Sequence, residues 1–97
     1  MGAGTLATTA SLNHWFVYIL RCADNTLYTG VTTDIVRRLA EHNAAGTPAA
    51  RYTRSRLPVI LVYQEAAATR SAAARREAAI KKMGRARKLA LCDARTG

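Results

Sequence analysis

Acidic side chains are scarce in this chain: six Asp and Glu stand against fifteen Lys and Arg in 97 residues, a formal net charge of +9. The scarcity is uneven. From Met1 to Ala50, Arg21, Arg37 and Arg38 are balanced by Asp24, Asp34 and Glu41, so the whole basic excess lies from Arg51 onward. A basic half beside a neutral half points to a polyanionic partner, most often nucleic acid, because each phosphate neutralised by Lys or Arg releases counterions. A solvated basic face with no specific partner is the plainer alternative.

Cysteine is almost missing too. Cys22 and Cys92 have no metal-ligand spacing and build no disulfide framework, which excludes a secreted mini-protein and leaves reduced thiols in a cytoplasmic chain as the expectation. No apolar run approaches the roughly 20 residues that span a bilayer, so no membrane role is expected. The segment MGAGTLATTASLN lacks a basic leader region, so residues 1–13 read as a flexible tail rather than a signal or anchor. Only six residues are aromatic and much of the apolar content is alanine. One modest core, with helices of high intrinsic propensity, is what a chain of this length can bury.

What the chain does contain is concentrated in FVYILRCADNTLYTGVTTDIVRRLAEH, from Phe16 to His42. His14 to Arg21 is apolar on both alternation sets, Trp15, Val17 and Ile19 against Phe16, Tyr18 and Leu20, which predicts a central strand covered on both faces. Cys22 to Asn25 is a short polar connection, so Leu27 to Val31 returns as the second strand of an antiparallel hairpin. Gly30 marks a place where the backbone turns or something approaches closely. Thr32, Thr33 and Asp34 read as a helix start, a hydroxyl cap with a carboxylate in the first turn. The helix runs to about Asn43 with Ile35, Val36, Leu39 and Ala40 inward, and Arg38 and His42 share one flank.

Ala44 to Leu57 has no periodicity and reads as a loop carrying Arg51, Arg54 and Arg56 around Tyr52; Pro58 to Gln64 is the third strand. A helix capped by Thr69 or Ser71 follows, with Ala73, Ile80 and Met83 as its apolar edge, broken by Arg76 and Glu77. Gly84 ends or kinks it, Arg85 to Leu91 is a short last helix, and residues 92–97 read as a C-terminal tail.

The ordered set Val17-Tyr18, Tyr28-Thr29-Gly30, a helix bearing Arg38, and Glu77 on a later helix resembles the GIY-YIG nuclease superfamily, in particular its small stand-alone bacterial members. The resemblance covers residues 14–91. It implies an α+β fold, a three-stranded antiparallel sheet flanked by helices. It also implies hydrolysis of a DNA phosphodiester with one divalent metal ion, Mg²⁺ with Mn²⁺ as substitute. Carried onto this chain, Tyr18 is the tyrosine of the first half-motif, Tyr28 and Gly30 belong to the second, Arg38 is the helix arginine, His42 a histidine of several branches, and Glu77 the metal-binding glutamate.

The residue types suit that chemistry. A lone carboxylate matches Mg²⁺, which keeps most of its waters. Arg38 offers a planar fork for phosphate. Tyr28 can take a proton from the attacking water only if the value near ~10 of a free tyrosine is lowered by metal and cations, with Tyr18 then orienting the water or a phosphate oxygen. Each residue also has a plain role open to it: Tyr18 and Tyr28 as hairpin aromatics, Arg38 as a solvated helix residue, His42 as a C-terminal helix cation, and Glu77 as partner of Lys81 at i, i+4.

Phe16 and Thr29 replace the glycine and isoleucine of the two half-motifs, and Val31 stands where some relatives carry a lysine. Arg51, Arg54, Arg56, Arg75, Arg76, Lys81 and Lys82 are expected to grip phosphates without reading sequence, and Tyr52 to stack on an unpaired base. RNA is not excluded as substrate. A binding module that keeps the fold without cleaving, or a partner subunit of a repair complex, is the alternative.

Overall fold

The computed structural model describes residues 14–44, 53 and 55–96. Its centre is β1 (Trp15–Arg21), flanked by β2 (Leu27–Thr32) and β3 (Ile60–Ala67) in the antiparallel order β2-β1-β3. Helix α1 is Ile35–Asn43, α2 is Arg70–Lys81 and α3 is Arg85–Thr96. This is the α+β architecture expected from the sequence, and no helix among the described residues is long and apolar enough to cross a membrane.

The two apolar sets of β1 serve two cores. Val17 and Ile19 pack with Tyr63, Ala73, Ile80 and Cys92 beneath α2 and α3, while Tyr18 and Leu20 pack with Cys22, Val59, Ile35 and Leu39 beneath α1. β1 lies between the other two strands with helices over both faces of the sheet, which its two-sided apolar pattern matches. The cysteines are free thiols in opposite cores. Between β1 and β2, Asn25 takes a left-handed φ of 68°, and Asp24 Oδ1 accepts from the Thr26 amide at 3.1 Å, the Asx turn that tightens the hairpin.

Four local expectations are corrected. The α1 cap is Asp34 itself, which accepts from the Arg37 amide at 3.0 Å, while the Thr32 hydroxyl accepts from the Asp34 amide at 3.1 Å. Ile35 and Leu39 pack inward as expected, but Val36 is 80% exposed and Ala40 is exposed, because the inward face of α1 is completed by the buried His42 instead. β3 starts at Ile60 rather than Pro58: proline lacks the N–H a ladder needs, and the Val59 backbone is already bound to the Asn43 amide, N–H to Oδ1 at 3.0 Å and C=O from Nδ2 at 3.2 Å. Helix α3 runs to Thr96 rather than Leu91, because Cys92 supplies one more buried contact, so residues 92–96 are helical rather than a tail.

A bulge completes the frame. Ile19 pairs with Tyr63 but Leu20 pairs with Leu61, so Val62 is the extra residue of β3. Alternation is thereby broken: Leu61 packs in the α1 core, while Val62 and Tyr63 pack in the other. Of the two cap candidates for α2, Thr69 is the one used, accepting from the Ala72 amide at 3.0 Å.

Candidate active site

Gly30 lies opposite Tyr18 in the β1–β2 register. A Cβ on Gly30 would sit 2.6 Å from the Tyr18 hydroxyl and 2.8 Å from its Cζ, so the missing side chain is the space the phenol occupies. Because β2 is an edge strand, this lets the Tyr18 ring cross β2 and carry its hydroxyl toward the edge of the sheet. The close approach foreseen at Gly30 is therefore made by a side chain of the same hairpin.

His42 meets that hydroxyl from α1. It is fully buried, with Nε2 at 3.1 Å from Tyr18 Oη and Nδ1 at 3.3 Å from Thr53 Oγ1. Thr53 Oγ1 donates to the His42 carbonyl at 3.3 Å, which uses its single proton, so His42 Nδ1 donates to Thr53 and Nε2 accepts from Tyr18. The electrostatics agree with that direction. Burial, and then the neighbouring Tyr28, push Tyr18 well above the usual tyrosine range, so it keeps its proton. Burial, and then the Arg38 charge, hold His42 below its ordinary value, so it stays neutral. Tyr28 closes the cluster, its ring centroid 5.0 Å from His42 and 6.3 Å from Tyr18.

Two charges bracket the rings. The Arg38 charge works against the rise of Tyr18, and its Nε pairs with Glu41 Oε1 at 3.2 Å without hydrogen-bond geometry. Glu77 acts electrostatically on Tyr18 from α2, and its Oε2 lies 3.1 Å from Lys81 Nζ. Of the residues named from the motif, Tyr18, Tyr28 and His42 are in ring contact from β1, β2 and α1, while Arg38 lies one turn before His42 on α1 and Glu77 stands half-buried on α2. Val31 packs in the core beneath α2, on the opposite face of β2 from Tyr28.

The model of the GIY-YIG catalytic domain matches residues 14–90. The chain belongs to the GIY-YIG catalytic domain family. Within it the chain is similar to UPF0213 protein DP2720 of Desulfotalea psychrophila, 58% identical over 82% of this chain and 72% of the relative. UPF0213 protein NP_0776A of Natronomonas pharaonis is 51% identical over 84% of this chain and 94% of its own length. The solution NMR structure of UPF0213 protein BH0048 from Bacillus halodurans superposes with a TM-score of 0.55 at 37% identity, covering 86% of each chain.

The GIY-YIG domain is a nuclease domain whose enzymes generally depend on a divalent metal. Among the described residues no group of three or more His, Cys, Asp or Glu is assembled for a metal. That donor set does not suit zinc, which takes three or four protein ligands. A hard ion such as Mg²⁺, which keeps most of its waters, would need no more than the carboxylate of Glu77 from the protein.

The expected phosphate grip is divided. Arg75 and Lys82 are exposed and make no ion pair among the described residues. Arg56 instead pairs with Asp24 at 3.1 Å, Lys81 with Glu77, and Arg76 with Glu65 at 3.0 Å. Arg51, Tyr52 and Arg54 lie outside the described residues. Thr53 was not legible as a site residue, since its role is to orient a ring on a helix eleven positions away.

Proposed function

We propose that this chain is a divalent-metal-dependent endonuclease that hydrolyses phosphodiester bonds in DNA, selecting substrate structure rather than base sequence. The observation that carries this reading is the contact of Tyr18 with His42 at 3.1 Å over Gly30, with the Tyr28 ring beside both, in a chain whose domain family is a nuclease family.

In this reading the half-buried Arg38 guanidinium receives a non-bridging phosphate oxygen, which satisfies the Nε left without a partner. Tyr18, held as a phenol and aimed by His42, orients the attacking water or a phosphate oxygen. Tyr28, at the more open side of the cluster, would accept the proton of that water in its phenolate form, which a divalent cation and Arg38 favour. Glu77 would hold Mg²⁺ or Mn²⁺, which supplies positive charge at the scissile phosphate and the leaving oxygen. Arg75 and Lys82 contact backbone phosphates, and such contacts position DNA without reading bases. Backbone contacts of that kind support selection of DNA structure over sequence, which suits work in DNA repair or recombination.

The test is cleavage of branched, nicked, single-stranded and duplex DNA, with a matched RNA, in Mg²⁺ or Mn²⁺, by the wild type and Glu77→Ala. Products that require metal and vanish in the variant support the proposal. A folded wild type that binds every substrate and cuts none, with either ion, replaces it with a non-catalytic binding module.

A further inference from the structure

Helix α2 buries only Ala73 and Ile80, two turns apart. At the intervening turn, where the helix lies against the sheet, stand Arg76 and Glu77, both half-buried. An alanine methyl and one isoleucine give little resistance to rotation about the helix axis, because hydrophobic burial is non-directional. Rotation matters here. With side-chain heads about 5–6 Å from the axis, a roll of roughly 20° displaces one by about 2 Å, and a misplacement of ~1 Å can cost on the order of 10²-fold in rate.

The two central residues leave the helix in directions about 100° apart. Glu77 acts on Tyr18, whose hydroxyl lies over Gly30 on β2. Arg76 goes to the other edge, where its Nε donates to Glu65 Oε2 at 3.0 Å. The second oxygen of Glu65 accepts from the Tyr63 hydroxyl, so both carboxylate oxygens are engaged. Tyr63 and Glu65 are two apart on β3, paired with Ile19 and Val17 of β1, so strand alternation puts both on the α2 side. Glu65 pairs with Val17 in the register, so an acid stands on β3 beside a fully buried apolar residue of β1.

We infer that Glu65, Arg76 and Tyr63 form a positioning clamp that sets the roll of α2 and thereby delivers Glu77 to the tyrosine cluster. The inference rests on Glu77 being the metal-holding carboxylate. A half-buried ion pair is a poor source of stability compared with packed apolar residues, but its fixed geometry defines an angle that Ala73 and Ile80 leave loose. Arg76 is therefore a positioning residue rather than a phosphate contact.

The variants are Arg76→Met, which keeps the stem and removes the guanidinium, Glu65→Gln, and the exchange Glu65→Arg with Arg76→Glu. Three readouts separate the outcomes: the phase of residual dipolar couplings along α2, which reports its roll against the sheet; the Mn²⁺ affinity of the free protein; and the metal-free affinity for duplex DNA with its salt dependence. The clamp requires the phase to shift and Mn²⁺ affinity to fall about tenfold in Arg76→Met, metal-free DNA affinity to stay within about twofold, and the exchange to restore phase and Mn²⁺ binding. An unchanged phase overturns it, as does loss of DNA affinity and salt slope with Mn²⁺ binding intact. If the wild type binds no Mn²⁺ and cuts nothing, the nuclease reading has failed, and the dipolar couplings still decide whether the clamp sets the helix.

Discussion

Gly30→Ala is the sharpest perturbation the fold offers, because one methyl group tests the geometry that places Tyr18. The added Cβ would lie 2.6 Å from Tyr18 Oη and 2.8 Å from Cζ, well inside van der Waals contact. The phenol cannot yield cheaply: Tyr18 is 2% exposed and its hydroxyl is held by His42. Forcing a methyl into a packed site costs about 1–3 kcal/mol. Breaking the Tyr18–His42 bond strands a buried acceptor for about 1–3 kcal/mol more. The alanine restricts the unfolded chain, which returns about 0.5–1 kcal/mol. The net expectation is a loss of about 1–5 kcal/mol, and at roughly 4–8 °C per kcal/mol for a domain of this size the melting midpoint falls by at least about 4 °C. Thermal and urea denaturation read the loss. Combining Gly30→Ala with Tyr18→Leu, which removes the clashing ring, gives a double variant less destabilised than the two singles summed. An unchanged midpoint in Gly30→Ala, or strict additivity in the double variant, refutes the close-approach argument.

Other outcomes follow from the same geometry. Tyr18→Phe leaves His42 Nε2 buried without a donor and costs about 1–3 kcal/mol in urea denaturation, with cleavage reduced more than DNA binding; wild-type stability and turnover together would sink the role of the hydroxyl. Because burial and Arg38 hold the folded His42 below the ordinary histidine value, the unfolded chain takes up its proton first. Stability is therefore full above about pH 6.5 and falls as pH drops below it, toward the lower folded value, by up to about 1.4 kcal/mol per pH unit. Denaturation midpoints from pH 7.5 to 5 should show that slope in the wild type and lose it in His42→Gln; a flat wild-type profile refutes it. Arg75→Gln should weaken DNA binding evenly across sequences and lower the salt slope by about 0.9, and an unaltered slope removes Arg75 from the phosphate contacts.

Much of the fold was legible because it depends on local chemistry. The two-sided apolar pattern of β1 allows only a central strand, the short Asp24-Asn25 connection allows only a hairpin, and the break at Gly84 separates two helices. Type and order in the sequence name Tyr18, Tyr28, Arg38, His42 and Glu77 as the motif residues, and the fold brings the rings of Tyr18, Tyr28 and His42 into contact.

Periodicity could not settle which flank of α1 turns inward. Val36 and Ala40 are more apolar than Arg38 and His42, yet the tertiary structure exposes the first pair and buries His42, because Tyr18 and Thr53 together satisfy both ring nitrogens. Nor could charge tell a phosphate contact from an internal pair: Arg75 and Arg76 are adjacent and identical in type, and only Glu65 across the sheet distinguishes them. Local propensity writes elements into the chain one residue at a time. Burial and hydrogen-bond satisfaction are settled between residues far apart in sequence, so the helix roll and the partner of each charge belong to the folded state.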